Sequence, residues 1–166
     1  MKILLPNRYF KNIYEVDLKD LKDQNIKALI IDIDNTLVGW DVKSPTKEVL
    51  DWLELLKEND FKICLVSNNK EDRVLKFTED LNIDYIFSAK KPFKKSFKKA
   101  LKILGESNNN TAIIGDQIFT DVLGGNRSRI FKVLVEPIKS KEFWWTTLVR
   151  NVEKIIIKKV VNKKFK

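Results

Sequence analysis

The chain has no histidine and a single cysteine among its 166 residues. Without histidine, a Ser-His-Asp hydrolase, a histidine phosphatase and a His-ligated zinc site are excluded. One cysteine excludes intrachain disulfides and cysteine zinc clusters. Cys64 does not complete a cysteine-phosphatase motif, since lysine stands six residues later where arginine is needed, and we predict a buried strand residue there. Hydrolytic chemistry would therefore depend on carboxylates and metal ions.

Long apolar runs are also missing. No run is long enough to cross a bilayer, and the apolar stretch at residues 3–5 is too short for a signal peptide. We therefore expect a cytoplasmic protein. The apolar fraction of 43% and the charged fraction of 33% are typical of a soluble globular chain, and its length suits one domain. The net charge of +9 suits an anionic partner, but it is explained equally well by a lysine-rich composition.

Short apolar runs alternate with amphipathic helical patterns, which predicts βαβ units and a parallel sheet covered on both faces. The predicted strands are 28–33, 61–66, 84–87, 111–114 and 130–135. The predicted helices are 46–59, 70–81, 93–104 and 120–128, with a short helical stretch near 18–23. Ligands in such folds bind beyond the carboxyl ends of the strands.

The first predicted strand ends in two aspartates, Asp32 and Asp34. Side chains alternate along a strand, so these two leave the same face. Paired carboxylates are costly in such a place unless a cation or a reaction uses them. A calcium loop is excluded, because Leu37 and Lys43 occupy the positions where it needs glycine and glutamate.

Polar residues also follow the later strands: Ser67 and Asn68, then Lys91 before a proline, then Asp116 and Asp121. The order Asp-x-Asp-x-Thr, Ser, Lys, Gly-Asp-x-x-x-x-Asp resembles the four motifs of the haloacid dehalogenase (HAD) phosphatase superfamily. The resemblance implies an HAD-like Rossmannoid three-layer α/β fold around a central parallel sheet. The gaps between strands are too short for a cap domain, so a capless, open site is expected.

The resemblance also implies a role for each residue. Asp32 would be the nucleophile that forms an aspartyl-phosphate, and Asp34 the general acid and base. Ser67, Asn68 and Lys91 would bind phosphate, with Lys90 as the rival lysine. Mg²⁺ would be held by the carboxylates of Asp32, Asp116 and Asp121 and by the backbone carbonyl of Asp34. Gly115 would let the backbone approach the ligand.

The chain also resembles a narrower group, the HAD subfamily IIIA phosphatases of the YqeG type. The resemblance lies in a longer segment, 115–127, in the motifs around Ser67 and Lys91, and in the sequence Glu-Phe-Trp-Trp-Thr at 142–146. These phosphatases are similar to phosphatidylglycerophosphate phosphatases. The implied activity is a Mg²⁺-dependent phosphomonoesterase that removes phosphate from phosphatidylglycerophosphate. The alternatives are a soluble sugar phosphate or nucleotide as substrate, and a catalytically silent HAD-fold protein that binds RNA or a protein.

We expect the chain to divide into a phosphatase domain, 1–137, which includes an N-terminal extension, and a basic amphipathic helical segment, 138–166. Apolar residues of this segment share a helical face flanked by lysines. The face either packs on the domain or lies in the interface of an anionic membrane, which would make the protein peripheral at the inner face. Nucleic acid is not the expected partner, because the aromatic residues near the basic helix have core spacing rather than the interleaving that stacking needs.

Overall fold

Six parallel strands form one sheet in the order β1-β6-β5-β2-β3-β4. The structure is a computed structural model that describes residues 2–138. The strands are β1 (Arg8–Phe10), β2 (Ala28–Ile31), β3 (Lys62–Val66), β4 (Asp84–Ile86), β5 (Thr111–Gly115) and β6 (Phe131–Val135). The last five confirm the predicted strands, and the β2 strand that precedes Asp32 lies in the middle of the sheet, beside β5.

Five α-helices connect the strands: α1 (Leu18–Asp23), α2 (Lys47–Glu58), α3 (Glu71–Thr78), α4 (Lys94–Leu104) and α5 (Leu123–Arg127). Short 3₁₀ turns occupy Lys2–Leu4, Ile13–Glu15 and Asn108–Asn110. The Thr46 hydroxyl caps α2, and Gly105, with φ 63°, ends α4. The predicted helix 120–128 differs from the structure, because it begins as a π-helical turn, Ile118–Val122, before α5.

The sheet is covered on both faces, as its nearly continuous apolar strands predict. On one face Leu29 and Ile31 of β2 belong to a cluster that includes Leu53 of α2 and Phe77 of α3. On the other face Ala28 and Ile30 pack in a cluster with the α4 residues Phe97, Ala100 and Leu104. The period of two along each strand thus produces the three-layer arrangement.

Strand β1 is the one strand that the sequence pattern does not predict. It has only three residues, and its partner β6 lies more than a hundred residues later, with Tyr9 paired to Leu134. Arg8 binds Asp20 of α1 at 2.7 Å through Nη2, which ties this edge to the body of the domain. Because the pairing is so distant in sequence, local patterns cannot reveal it.

Connections at the carboxyl ends of the strands are short. Between β2 and β3 the chain holds a loop and α2, and between β4 and α4 it holds a short loop, so the described residues include no cap over this edge. In the same part of the chain, no helix has the length and apolar character needed to cross a membrane. The predicted amphipathic segment lies outside the described residues, except for Ile138.

Candidate active site

An open pocket of about 290 Å³ lies at the carboxyl ends of β2, β3 and β5. Its lining consists of polar and charged residues: Asp32, Asp34, Ser67, Asn68, Asn69, Lys91, Gln117 and Thr120. Each strand ends one residue before a residue of the site, so β2 delivers Asp32, β3 delivers Ser67 and β5 delivers Asp116. The fold therefore brings together residues separated by more than eighty positions.

Lys91 is the central cation of the pocket. Its side chain is only 2% exposed, and its ammonium donates hydrogen bonds to Asp32 Oδ1, to Asp121 Oδ1 at 2.7 Å and to the Val66 carbonyl oxygen at 3.2 Å. The neighbouring Lys90 is exposed to solvent. Of the two candidate lysines, Lys91 is thus the one that the fold places among the carboxylates.

Three buried carboxylates converge beside this lysine. Asp32, Asp116 and Asp121 each place one oxygen within 4.8 Å of the others. The Thr36 hydroxyl lies 3.2 Å from Asp32 Oδ2 and 3.2 Å from Asp116 Oδ1, so it can donate to either one. Hard oxygen donors of this kind suit a divalent cation such as Mg²⁺.

The protonation of Asp32 reflects this crowding. Burial raises the pKa of Asp32 to about 7, with Lys91 acting in the opposite direction and the charge of Asp121 adding to the rise. The pKa of the Lys91 ammonium is raised, because its attraction to Asp121 and Asp32 exceeds the effect of burial. One ammonium thus faces three carboxylates, and the excess negative charge is what a divalent cation would neutralise.

Asp34 lines the same pocket and is half-buried. Its Oδ2 accepts a hydrogen bond from the Ser67 hydroxyl at 3.0 Å, and its Oδ1 accepts one from Arg73 Nη2 at 3.0 Å. Arg73 did not emerge from the sequence, where it is one of several charged residues in the predicted helix 70–81. Only the packing of α3 beside the loop after β2 places it here.

Asn68 was predicted to bind phosphate, and it does line the pocket. Its amide oxygen accepts from the Lys91 backbone N–H at 2.7 Å, and its amide nitrogen donates to the Lys91 carbonyl at 3.1 Å. Both groups of this amide are therefore engaged with the backbone of Lys91, and they fix the base of that side chain.

Gly115, the last residue of β5, lies directly beside the Asp121 side chain. A Cβ built on Gly115 would lie 2.3 Å from Cγ and 2.4 Å from Oδ2 of Asp121. The absent side chain thus leaves space for the Asp121 carboxylate, and the approach of this backbone to a ligand stays a prediction. Asp121 also accepts from the Gln117 backbone N–H at 3.1 Å, so its orientation is fixed from both sides.

The sheet is parallel, the pocket is open at its carboxyl edge, and aspartates surround one lysine there. These features define the class of protein as an α/β hydrolase that cleaves phosphate esters. The family model described as haloacid dehalogenase-like hydrolase matches residues 9–129. The chain belongs to this family, and it is a phosphatase.

Relatives agree with this assignment. The chain is 41% identical over 156 residues to the "probable phosphatase YqeG" of Bacillus subtilis, covering 94% of this chain and 91% of the relative. It is 23% identical over 175 residues to phosphatidylglycerophosphate phosphatase 1, chloroplastic/mitochondrial, of Arabidopsis thaliana. That match covers 99% of this chain and 50% of the plant protein.

Solved structures support the fold. The cobalt-bound deoxy-D-mannose-octulosonate 8-phosphate phosphatase of Haemophilus influenzae superposes with a TM-score of 0.54 at 18% identity. The superposition covers 82% of this chain and 90% of that one. At this level of identity the likeness establishes the shared architecture.

Proposed function

We propose that the protein is a Mg²⁺-dependent phosphomonoesterase that works through an aspartyl-phosphate on Asp32, with phosphatidylglycerophosphate as its substrate. The observation that carries the reaction type is the pairing of Asp32 with Lys91 in an open pocket, with Asp116 and Asp121 buried behind them. A carboxylate nucleophile and a fixed cation are the two groups that displacement at phosphorus needs.

Asp32 attacks the phosphorus atom through one carboxylate oxygen, and the bond from phosphorus to the alcohol oxygen breaks. Asp34, which enters the reaction as the protonated acid, gives its proton to that departing oxygen. Asp34 then takes a proton from a water molecule that attacks the same phosphorus, and the bond to Asp32 breaks. Inorganic phosphate leaves and both carboxylates return to their starting states.

Lys91 and Ser67 stabilise the charge of the transferring group. The Lys91 ammonium is already fixed by two carboxylates and a carbonyl, so little reorganisation accompanies the reaction. Ser67 reaches the pocket from the end of β3, where its hydroxyl is 3.0 Å from Asp34. Asn68 keeps the backbone of Lys91 in place.

The carboxylates of Asp32, Asp116 and Asp121 would hold Mg²⁺, with the backbone carbonyl of Asp34 as a further oxygen ligand. The bound metal would neutralise phosphate and carboxylate charge and orient the ester. Two features support this fit: the donors are all oxygen, and burial together with the charge of Asp121 raises the pKa of Asp32 to about 7 even beside the Lys91 ammonium.

Three features support a lipid phosphate ester as the substrate. The Arabidopsis relative is named as a phosphatidylglycerophosphate phosphatase, and the pocket is open enough for a headgroup that stays attached to a lipid. The basic segment 138–166 would bring the protein to an anionic membrane surface, although nearly all of it lies outside the described residues.

Phosphate release from phosphatidylglycerophosphate in mixed micelles tests both parts of the proposal. We expect release with Mg²⁺, little with EDTA, and none from Asp32→Asn. If soluble phosphate esters turn over while the lipid does not, the chemistry stands and the substrate assignment is wrong. Deleting 153–166 should weaken lipid turnover and spare p-nitrophenyl phosphate, and equal loss on both would show that the segment is structural.

A further inference from the structure

Arg73 links helix α3 to two points of the connection between β2 and α2, at the edge of the pocket. It lies in the first turn of α3, and its side chain is 15% exposed. One guanidinium nitrogen, Nη2, donates to Asp34 Oδ1 at 3.0 Å, and the other, Nη1, lies 3.3 Å from the Lys43 carbonyl oxygen. The guanidinium carbon is 5.7 Å from the centre of the Phe77 ring on the same helix. Three contacts therefore fix this side chain.

The Asp34 carboxylate receives one hydrogen bond on each oxygen. Ser67 donates to Oδ2 and Arg73 donates to Oδ1, both at 3.0 Å. Ser67 and Arg73 stand at the two ends of the connection from β3 into α3. Asp34 itself follows β2, so its side-chain orientation is set by a neighbouring strand and helix rather than by its own loop.

The Lys43 contact extends the same restraint. Lys43 belongs to the loop between Asp34 and α2, and its carbonyl is held by the nitrogen next to the one that holds Asp34. The planar fork of arginine reaches two acceptors at once, which the single ammonium of lysine does not reproduce. The two terminal nitrogens make these contacts, while the buried Nε of Arg73 has no hydrogen-bond partner among residues 2–138.

We propose that Arg73 is a positioning residue that orients the Asp34 carboxyl group so that its proton passes to the leaving oxygen and is later recovered from water. The inference rests on the proposed function, since it assigns Arg73 a task within the same reaction. Both terminal nitrogens of the guanidinium are engaged, one by Asp34 and the other by the Lys43 carbonyl, so Arg73 acts through Asp34 and not on the phosphate.

Two aryl phosphates of similar size separate this task from general damage to the site. p-Nitrophenolate is a stable anion that leaves without a proton, whereas the more basic phenolate of phenyl phosphate depends on protonation. The ratio kcat/KM covers every step up to release of the phenol, so it reports the step in which Asp34 is the acid.

Arg73→Met should lower kcat/KM about a hundredfold for phenyl phosphate and less than about tenfold for p-nitrophenyl phosphate. Arg73→Lys keeps the charge but loses one of the two contacts, so its loss on phenyl phosphate should be intermediate. Lys76→Met, an exposed lysine on the same helix, is the matched control and should leave both substrates unchanged.

Circular dichroism shows whether each variant is folded, and Arg73→Lys decides the matter if Arg73→Met is not. An equal loss on both esters, or a raised KM with unchanged kcat, would overturn the positioning role while leaving the proposed function intact. If Asp32→Asn turned over substrate at the wild-type rate, the proposed function would be overturned, and the role of Arg73 with it.

Discussion

Gly115→Ala tests the geometry of the site without removing any functional group. The new methyl carbon would lie 2.3 Å from Asp121 Cγ, whereas carbon atoms in contact are ordinarily about 3.5–4.0 Å apart. Asp121 must therefore move by more than about 1 Å. Its contacts with the Lys91 ammonium, at 2.7 Å, and with the Gln117 N–H, at 3.1 Å, do not survive such a shift.

Two losses follow from this displacement. Overpacking in a tight interior costs about 1–3 kcal/mol, so the free energy of unfolding should fall by that amount. A displacement of about 1 Å in a catalytic constellation costs about a hundredfold in rate, and we expect kcat/KM for p-nitrophenyl phosphate to fall by at least that factor. The Mg²⁺ concentration needed for half-maximal activity should rise as well, since Asp121 belongs to the carboxylate cluster.

Gly105→Ala is the matched control. Gly105 adopts a φ of 63° at the end of α4, and its Cβ would meet no atom within 4 Å. The substitution therefore costs about 1 kcal/mol of backbone strain and leaves activity unchanged. The test compares the free energies of unfolding in urea and the steady-state rates of Gly115→Ala and Gly105→Ala. Wild-type activity in Gly115→Ala would refute the packing argument.

Three further substitutions have definite outcomes. Lys91→Met leaves two buried carboxylates without their cation, so it should lower the free energy of unfolding by about 3–5 kcal/mol in urea titrations. The exposed Lys90→Met should lower it by less than about 0.5 kcal/mol. Similar losses in the two variants would contradict the placement of Lys91 among the carboxylates. The folded pKa of Asp32, about 7, lies above its unfolded value of 3.8, so its carboxyl destabilises metal-free protein as pH rises from about 4 to 7. Asp32→Asn should therefore gain stability over wild type, by about 4 kcal/mol, between pH 4 and 8 in EDTA, and an unchanged difference would show that this carboxyl is not perturbed. Gly124→Ala forces a methyl to within 2.4 Å of the Phe97 ring and should lower the Tm, with partial recovery in the Phe97→Leu double variant; additive losses would exclude the clash.

Sequence patterns predict most of the sheet because the strands are apolar and fully buried. Residues 28–31 and 111–115 are continuous apolar runs, and each ends at an aspartate. A strand end is a local feature, so the positions of Asp32, Ser67 and Asp116 along the chain are readable without tertiary information. Their convergence follows from one general rule, that parallel strands place their carboxyl ends at a common edge.

Features that depend on tertiary packing are absent from those patterns. Strand β1 is short and pairs with a distant partner, and Arg73 reaches Asp34 only because α3 packs beside the loop after β2. The role of Gly115 is hidden for a similar reason, since it depends on where the Asp121 carboxylate lies after the π-helical turn. Local sequence identifies the groups, and packing decides their contacts.

Asp32 as the nucleophile is the central claim, and the rate of phosphate release from p-nitrophenyl phosphate by wild type and Asp32→Asn tests it most directly. Both proteins are assayed with Mg²⁺ and with EDTA after circular dichroism has shown that they are folded. The account predicts Mg²⁺-dependent release that falls by at least about a thousandfold in Asp32→Asn. Release by Asp32→Asn at a rate near that of the wild type would contradict it.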